Sequence, residues 1–219
     1  LCQVFFLRQK NIDENLAARF LLEGLELHWA GRPSESLAWV ENGLKLYPQN
    51  IHLLNLYGVL LIELTEYEKA REGFSKLLER ADNPPMMQAL FQNNLAYLNA
   101  LIGRADLLAE ADELSQKTLA TIGWHPSIKG TRGTVLLALG KPDEAIPLLL
   151  AAMQEQVEIT NKAQNACWIS MAEARRGNLT ESKKFLDEAG KLLPSCFLLE
   201  RALNELHIAT LKQTALKTD

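Results

Sequence analysis

The sequence predicts an all-α solenoid of antiparallel helix pairs ending in a capping helix. Three observations lead there. Small residues recur at fixed steps along the 219-residue chain. Between them the apolar residues fall at helical spacing, and 47% of the chain is hydrophobic, enough to bury a sizeable core. Self-similarity at a period of 34 to 38 residues is the mark of an array in which each unit buries its apolar face only against its neighbours.

The steps are seven, five and twelve. They link Gly24, Gly31, Ser36 and Pro48, then Gly58, Thr65, Ala70 and Asp82. They return at Gly133, Gly140, Ala145 and Val157, and at Ser170, Gly177, Ser182 and Pro194. A middle copy, Ala96, Gly103, Ala111 and Gly123, stretches the five to eight. Five units result, near residues 17–50, 51–84, 89–125, 126–160 and 163–194, within an array spanning 13–194.

The elements follow in chain order. Residues 1–12, containing "LCQVFFLRQK", read as an N-terminal segment. It is either a short helix over the first core face or the cytoplasmic exit of a membrane span, since Arg8 and Lys10 obey the positive-inside bias. A chain opening at Leu1 reads as a fragment or processed product.

In the units, "LLNLYGVLLIEL" (53–64) fits a helix buried on most sides, and "AREGFSKLLERA" shows three- and four-residue apolar steps. The small residue of each first helix lets the second approach. The glycine after it suits a left-handed helix end, with Pro33 and Pro142 two residues on, where a fixed φ fits a first turn.

The third unit carries "RADLLAE", about three residues more than the others, expected between its helices. Pro147 should loosen a turn of its helix. Beyond Pro194, residues 195–211 predict the capping helix, with Ser195 as its cap and Leu199, Leu203, Leu206 and Thr210 on one face. Residues 212–219 form a frayed tail.

On these residues the chain resembles the tetratricopeptide repeat (TPR). Residues 51–84 match the pattern best, through Tyr57-Gly58, Leu61, Ala70, Phe74 and Leu77, and Arg132 departs from it at a usually apolar place. The resemblance implies a right-handed superhelical array and a scaffold that binds an extended peptide or a partner helix in a concave groove. Carried over unit by unit, the groove positions are Asn55 and Val59, Asn93 and Tyr97, Thr131 and Thr134, and Gln164, Trp168 and Met171.

Asparagines there can pair with a peptide backbone, and Tyr97 and Trp168 offer rigid anchors; alternatively Tyr97, Trp168 and Met171 are inter-helix packing. Arg132 either meets an acidic partner, snorkels or pairs with an internal carboxylate. The family's chaperone-tail clamp needs lysines, where this chain has Leu21, Leu25, Asn55, Val59, Asn93 and Asn94, so that specificity is not expected.

Other chemistries find little support. "GTRGTVLLALGKPDEA" holds a Gly-Lys pair, but Val135 stands where a phosphate loop needs its first glycine and Pro142 where it needs a hydroxyl. Cys167 has no histidine near in sequence and reads as a buried structural thiol. The carboxylate pairs Asp112-Glu113 and Asp143-Glu144 suit helix starts or charged faces. His28, His52, His125 and His207 lack metal-ligand spacing.

The expectation is therefore a non-enzyme without cofactor or metal. Net charge −4 supplies no cationic field for nucleic acid, and no window reaches the ~20 apolar residues of a membrane span. Three cysteines, an odd number, fit a reducing, cytoplasmic setting, including the cytoplasmic part of a membrane-anchored protein. The expected partner is a protein or peptide. Two alternatives stay open: a regulatory or substrate-docking arm of a larger, membrane-anchored enzyme, and a module that self-associates as a homodimer through "VFFL".

Overall fold

The structure is a computed structural model describing residues 2–80 and 82–216, with side chains from residue 16 onward. The side chains of "VFFL", Arg8 and Lys10 therefore lie outside the described residues, as do residues 217–219; residues 212–215 of the tail expected to fray instead continue the last helix. The described residues contain eleven α-helices and no strand, which is the expected all-α class. They divide into two compact units, 1–77 and 78–219.

The first unit comprises α1 (Cys2–Trp29), α2 (Pro33–Leu46), α3 (Ile51–Glu63) and α4 (Tyr67–Leu78). The α1 backbone runs on through residue 12 without a break. Val40, Leu53, Leu56 and Leu60 form the core, with Phe20, Leu21, Leu25 and Tyr57 packed on it. Asn50 starts α3 by accepting from the His52 and Leu53 N–H groups, both at 3.1 Å. A Cβ on Gly58 would lie 2.5 Å from Cζ of Phe74, so the aromatic ring of α4 occupies the space that the small residue of α3 leaves. His28 Nε2 and Glu63 Oε1 lie within hydrogen-bond distance, 3.0 Å, between α1 and α3, both side chains buried. Their spacing in sequence gave no sign of it.

The second unit comprises α5 (Pro85–Ile102), α6 (Ala105–Ile122), α7 (Pro126–Ala138), α8 (Pro142–Glu155), α9 (Ile159–Arg175), α10 (Leu179–Leu192) and α11 (Leu199–Ala215). Each odd-numbered helix from α5 to α9 packs on the even-numbered one after it. Ala96, Ala100, Ala111 and Val135 form a core cluster here. The small residues account for the close approaches. A Cβ on Gly133 would meet Cγ of Leu149 at 2.7 Å, and Ser170 donates to the Ser182 carbonyl at 2.8 Å.

The step-of-seven residues are the turns. Gly31, Thr65, Gly103, Gly140 and Gly177 all have φ between 63° and 78°. At Gly140, its N–H donates to the Leu137 carbonyl and that of Lys141 to the Leu136 carbonyl, a Schellman ending. Thr65 and Glu66 make the same two bonds, to Ile62 and Leu61, although a β-branched residue is unfavourable there.

Three sequence expectations are corrected. The turn between α5 and α6 is not longer; it is only Gly103 and Arg104. The extra residues lengthen α6 at its start, so that Ala111 lies six residues in where Ser36, Ala70, Ala145 and Ser182 lie three in. Three residues make most of a helical turn, so adding them to a helix leaves the packing face in place. Second, α8 runs unbroken through Pro147, whose side chain is exposed.

Third, Ser195 does not start the capping helix, which begins at Leu199 with Leu198 as its N-cap. Its anticipated face is rotated as well: Ala202 is buried, while Leu203 is 55% exposed. The small Ala202 lets α11 come close to its neighbours, and one residue of rotation turns Leu203 outward.

Candidate functional site: the α5–α7–α9 face

In the second unit the first helices of successive helix pairs lie side by side, α5 against α7 and α7 against α9. Most of the predicted groove positions sit on them. Tyr97 of α5 and Trp168 of α9 meet edge to face, with ring centroids 6.2 Å apart. The indole N–H donates to the Tyr97 hydroxyl at 3.2 Å, and that hydroxyl donates to Gln164 Oε1 at 3.4 Å. So Tyr97, Gln164 and Trp168 are brought together by helices some 70 residues apart in sequence.

They differ in what they leave exposed. Trp168 is 2% exposed, and Met171 is fully buried. Thr134 is also buried, donating to the Gly130 carbonyl at 3.0 Å. Tyr97 and Gln164 remain half-buried. Thr131 is buried on α7.

Asn93, one turn before Tyr97 on α5, is 7% exposed, and its side-chain oxygen is buried without a hydrogen-bond partner. Leaving a buried acceptor unsatisfied costs about 1–3 kcal/mol. Asn55 and Val59 lie on α3 of the first unit, both half-buried.

Arg132 takes the internal-pair alternative. It forms an ion pair with Asp112 of α6 and donates to Ser115 Oγ at 2.8 Å. Burial raises the Asp112 carboxyl, but hydrogen bonds from Arg132 and Gln116 outweigh it and hold its pKa below the usual carboxylate value. In this conformation the guanidinium belongs to the contact between α6 and α7 and does not stand ready for an acidic partner.

Sequence reasoning missed the contribution of α11. Arg201 donates to the Leu101 carbonyl, in the last turn of α5, at 2.7 Å, and its guanidinium lies 5.5 Å from the Trp168 ring centre. Arg175 of α9 donates to the Leu137 carbonyl in the last turn of α7 at 3.0 Å and pairs with Glu205 of α11 at 2.6 Å. Arg201 thus reaches a carbonyl at the end of α5, while Arg175 adds a side-chain donor to the Leu137 carbonyl, which already accepts from the Gly140 N–H. No local signal could show this, because Arg201 and Leu101 are 100 residues apart.

These helix pairs with small-residue contacts and left-handed turns define the chain as having the tetratricopeptide-repeat fold. Among solved structures, the chain resembles TTC0263, a thermophilic TPR protein of Thermus thermophilus, with TM-score 0.60 and 19% identity over 87% of this chain and 98% of that one. It also resembles a chain of the APC/C hetero-tetramer Cut9–Hcn1, with TM-score 0.61 and 13% identity over 94% of this chain and 40% of that one. No protein-family model matches the sequence. No helix among the described residues is long and apolar enough to cross a membrane.

Proposed function

We propose that the chain is a non-enzymatic scaffold that holds an extended protein segment against the α5–α7–α9 face. The observation that carries this reading is the unpartnered amide oxygen of Asn93. In this reading the side chain reorients on binding to present that oxygen at the face. A backbone N–H of a bound segment then satisfies it. Tyr97 and Gln164 flank that point with partly open polar groups, and Thr131 stands on the adjoining helix.

In this reading Trp168, Met171 and Thr134 shape the wall without touching the ligand, and Arg132 braces α7. Asn55 and Val59 are the corresponding positions of α3 in the first unit. With a net charge of −4 the scaffold favours protein over nucleic acid, and its free buried cysteines suit the cytoplasm.

The test is a random-peptide display selection on the immobilised chain, followed by calorimetric titration of a selected peptide against wild type and Asn93→Ala. Loss of one good hydrogen bond predicts a weakening of about tenfold, with helical circular dichroism retained. A peptide that binds both proteins equally sinks the assignment to this face.

A further inference from the structure

Helix α1 buries Ala17, Gly24 and His28 on the side that meets α2 and α3. About a third of a turn around the helix, Ala18, Leu22, Leu25 and Trp29 form a second line, at steps of four, three and four residues. This line is apolar and open. Leu22 is 60% exposed and Trp29 44%, Ala18 is exposed, and Leu25 is half-buried against the unit's own core. Single apolar residues scattered over a surface need no explanation, but a continuous line does. Alternating steps of four and three make the seam along which one helix packs on another at a shallow angle.

The residues beside the seam say which helix fits it. On one flank, Leu21 and His28 are turned into the unit's own core. The other flank carries Arg19 and Glu26, both exposed and two turns apart. Arg19 lies 3.9 Å from Glu23 and its side chain stays 69% exposed. A second copy of α1 laid antiparallel, with the two-fold axis between Glu23 and Gly24, matches this pattern. Leu22 then faces the partner's Leu25, and Ala18 faces the partner's Trp29, so that a small residue meets a large one. The same axis sets Arg19 opposite the partner's Glu26 and, by symmetry, Glu26 opposite the partner's Arg19. A parallel pairing instead sets tryptophan against tryptophan and makes neither ion pair.

We propose that the chain forms a two-fold dimer through the Ala18–Leu22–Leu25–Trp29 seam of α1, antiparallel and flanked by Arg19–Glu26 pairs. The interface differs from one through "VFFL", and it does not depend on the peptide-binding reading. A seam about 17 Å long is shorter than tight interfaces use, so dimer and monomer exchange at about micromolar concentration.

The experiment is sedimentation velocity on the full chain over a dilution series at low salt, with a reductant present to exclude disulfide-linked pairs. Wild type should pass from dimer to monomer on dilution. Leu22→Glu removes two leucines per dimer and should weaken association by about tenfold or more. Arg19→Glu and Glu26→Arg each set like charges opposite one another, and each should weaken it by about tenfold. Both reversals in one chain restore every pair and should return the dimer to wild-type strength. A merely local effect on α1 predicts no such rescue, because positions two turns apart are not helix neighbours. Mixing the Arg19→Glu chain with the Glu26→Arg chain should likewise yield a heterodimer, with helical circular dichroism unchanged throughout. A wild-type chain that stays monomeric at every concentration overturns the proposal. So does a dimer that Leu22→Glu leaves intact, and so do charge reversals that change nothing or are not rescued by their combination.

Discussion

Helices α9 and α11 are each 17 residues long and pack on one another, yet they are held by different forces. Twelve residues of α9 are buried against one of α11, Ala202. What α11 lacks in apolar burial it replaces with polar reach: Arg201 to Leu101 and Trp168, Glu205 to Arg175, and Gln213 to the Gly177 carbonyl. Apolar burial scales with area and is shared among many atoms, whereas a few directed bonds can be lost one at a time. The first helix should therefore melt with the whole unit, and the second should release on its own.

The largest break in that comparison is Ile169→Ala. Ile169 is fully buried in α9, and truncation leaves a cavity costing about 2–4 kcal/mol. Urea denaturation followed by circular dichroism should show a lower midpoint with the transition still cooperative. A midpoint unchanged from wild type would mean that the core around α9 is looser than its burial indicates.

Arg201→Ala comes next. It removes a charge-assisted bond to a helix-end carbonyl and a ring contact, together about 1–2 kcal/mol. Its effect should be local. Amide hydrogen exchange should speed up in α11 and in the last turn of α5 while the interior of α9 keeps its protection. Equal acceleration throughout α9 would show that the two helices open as one unit and would dissolve the contrast.

The same contrast explains which features were legible in the sequence. Periodic features were. The step of seven fell on the five left-handed turns, Thr65 included, because the turn must recur wherever a helix pair recurs. The small residues at the first and third positions of each series were found for the same reason, since each marks a close helix contact. The length of the connection after α5 was misread because periodicity counts residues between landmarks without saying whether they lie in a loop or a helix.

Legibility failed wherever a contact joins separate repeats. Arg201 with Leu101 and Tyr97 with Trp168 leave no mark at local spacing. For Arg132 the internal carboxylate was one of the options, but Asp112 could not be singled out as the partner from sequence alone. The face bearing Asn93 was placed by resemblance. That its oxygen lacks a partner is visible only in three dimensions.

The smallest effect sharpens the comparison at the far end of α11. Gln213 Nε2 donates to the Gly177 carbonyl at 2.9 Å, so the helix end is tied to the turn that follows α9. The bond is neutral and only part-buried, which puts its net contribution at about 0.5–1 kcal/mol. Gln213→Ala should leave the global urea midpoint almost unmoved and raise hydrogen exchange in the last two turns of α11. Near Arg201 the exchange rates should stay at wild-type values, because that anchor lies three turns away and makes its bonds independently. Faster exchange along all of α11 would mean that its anchors act as a single clasp, and the helix would then detach whole whenever any one of them fails.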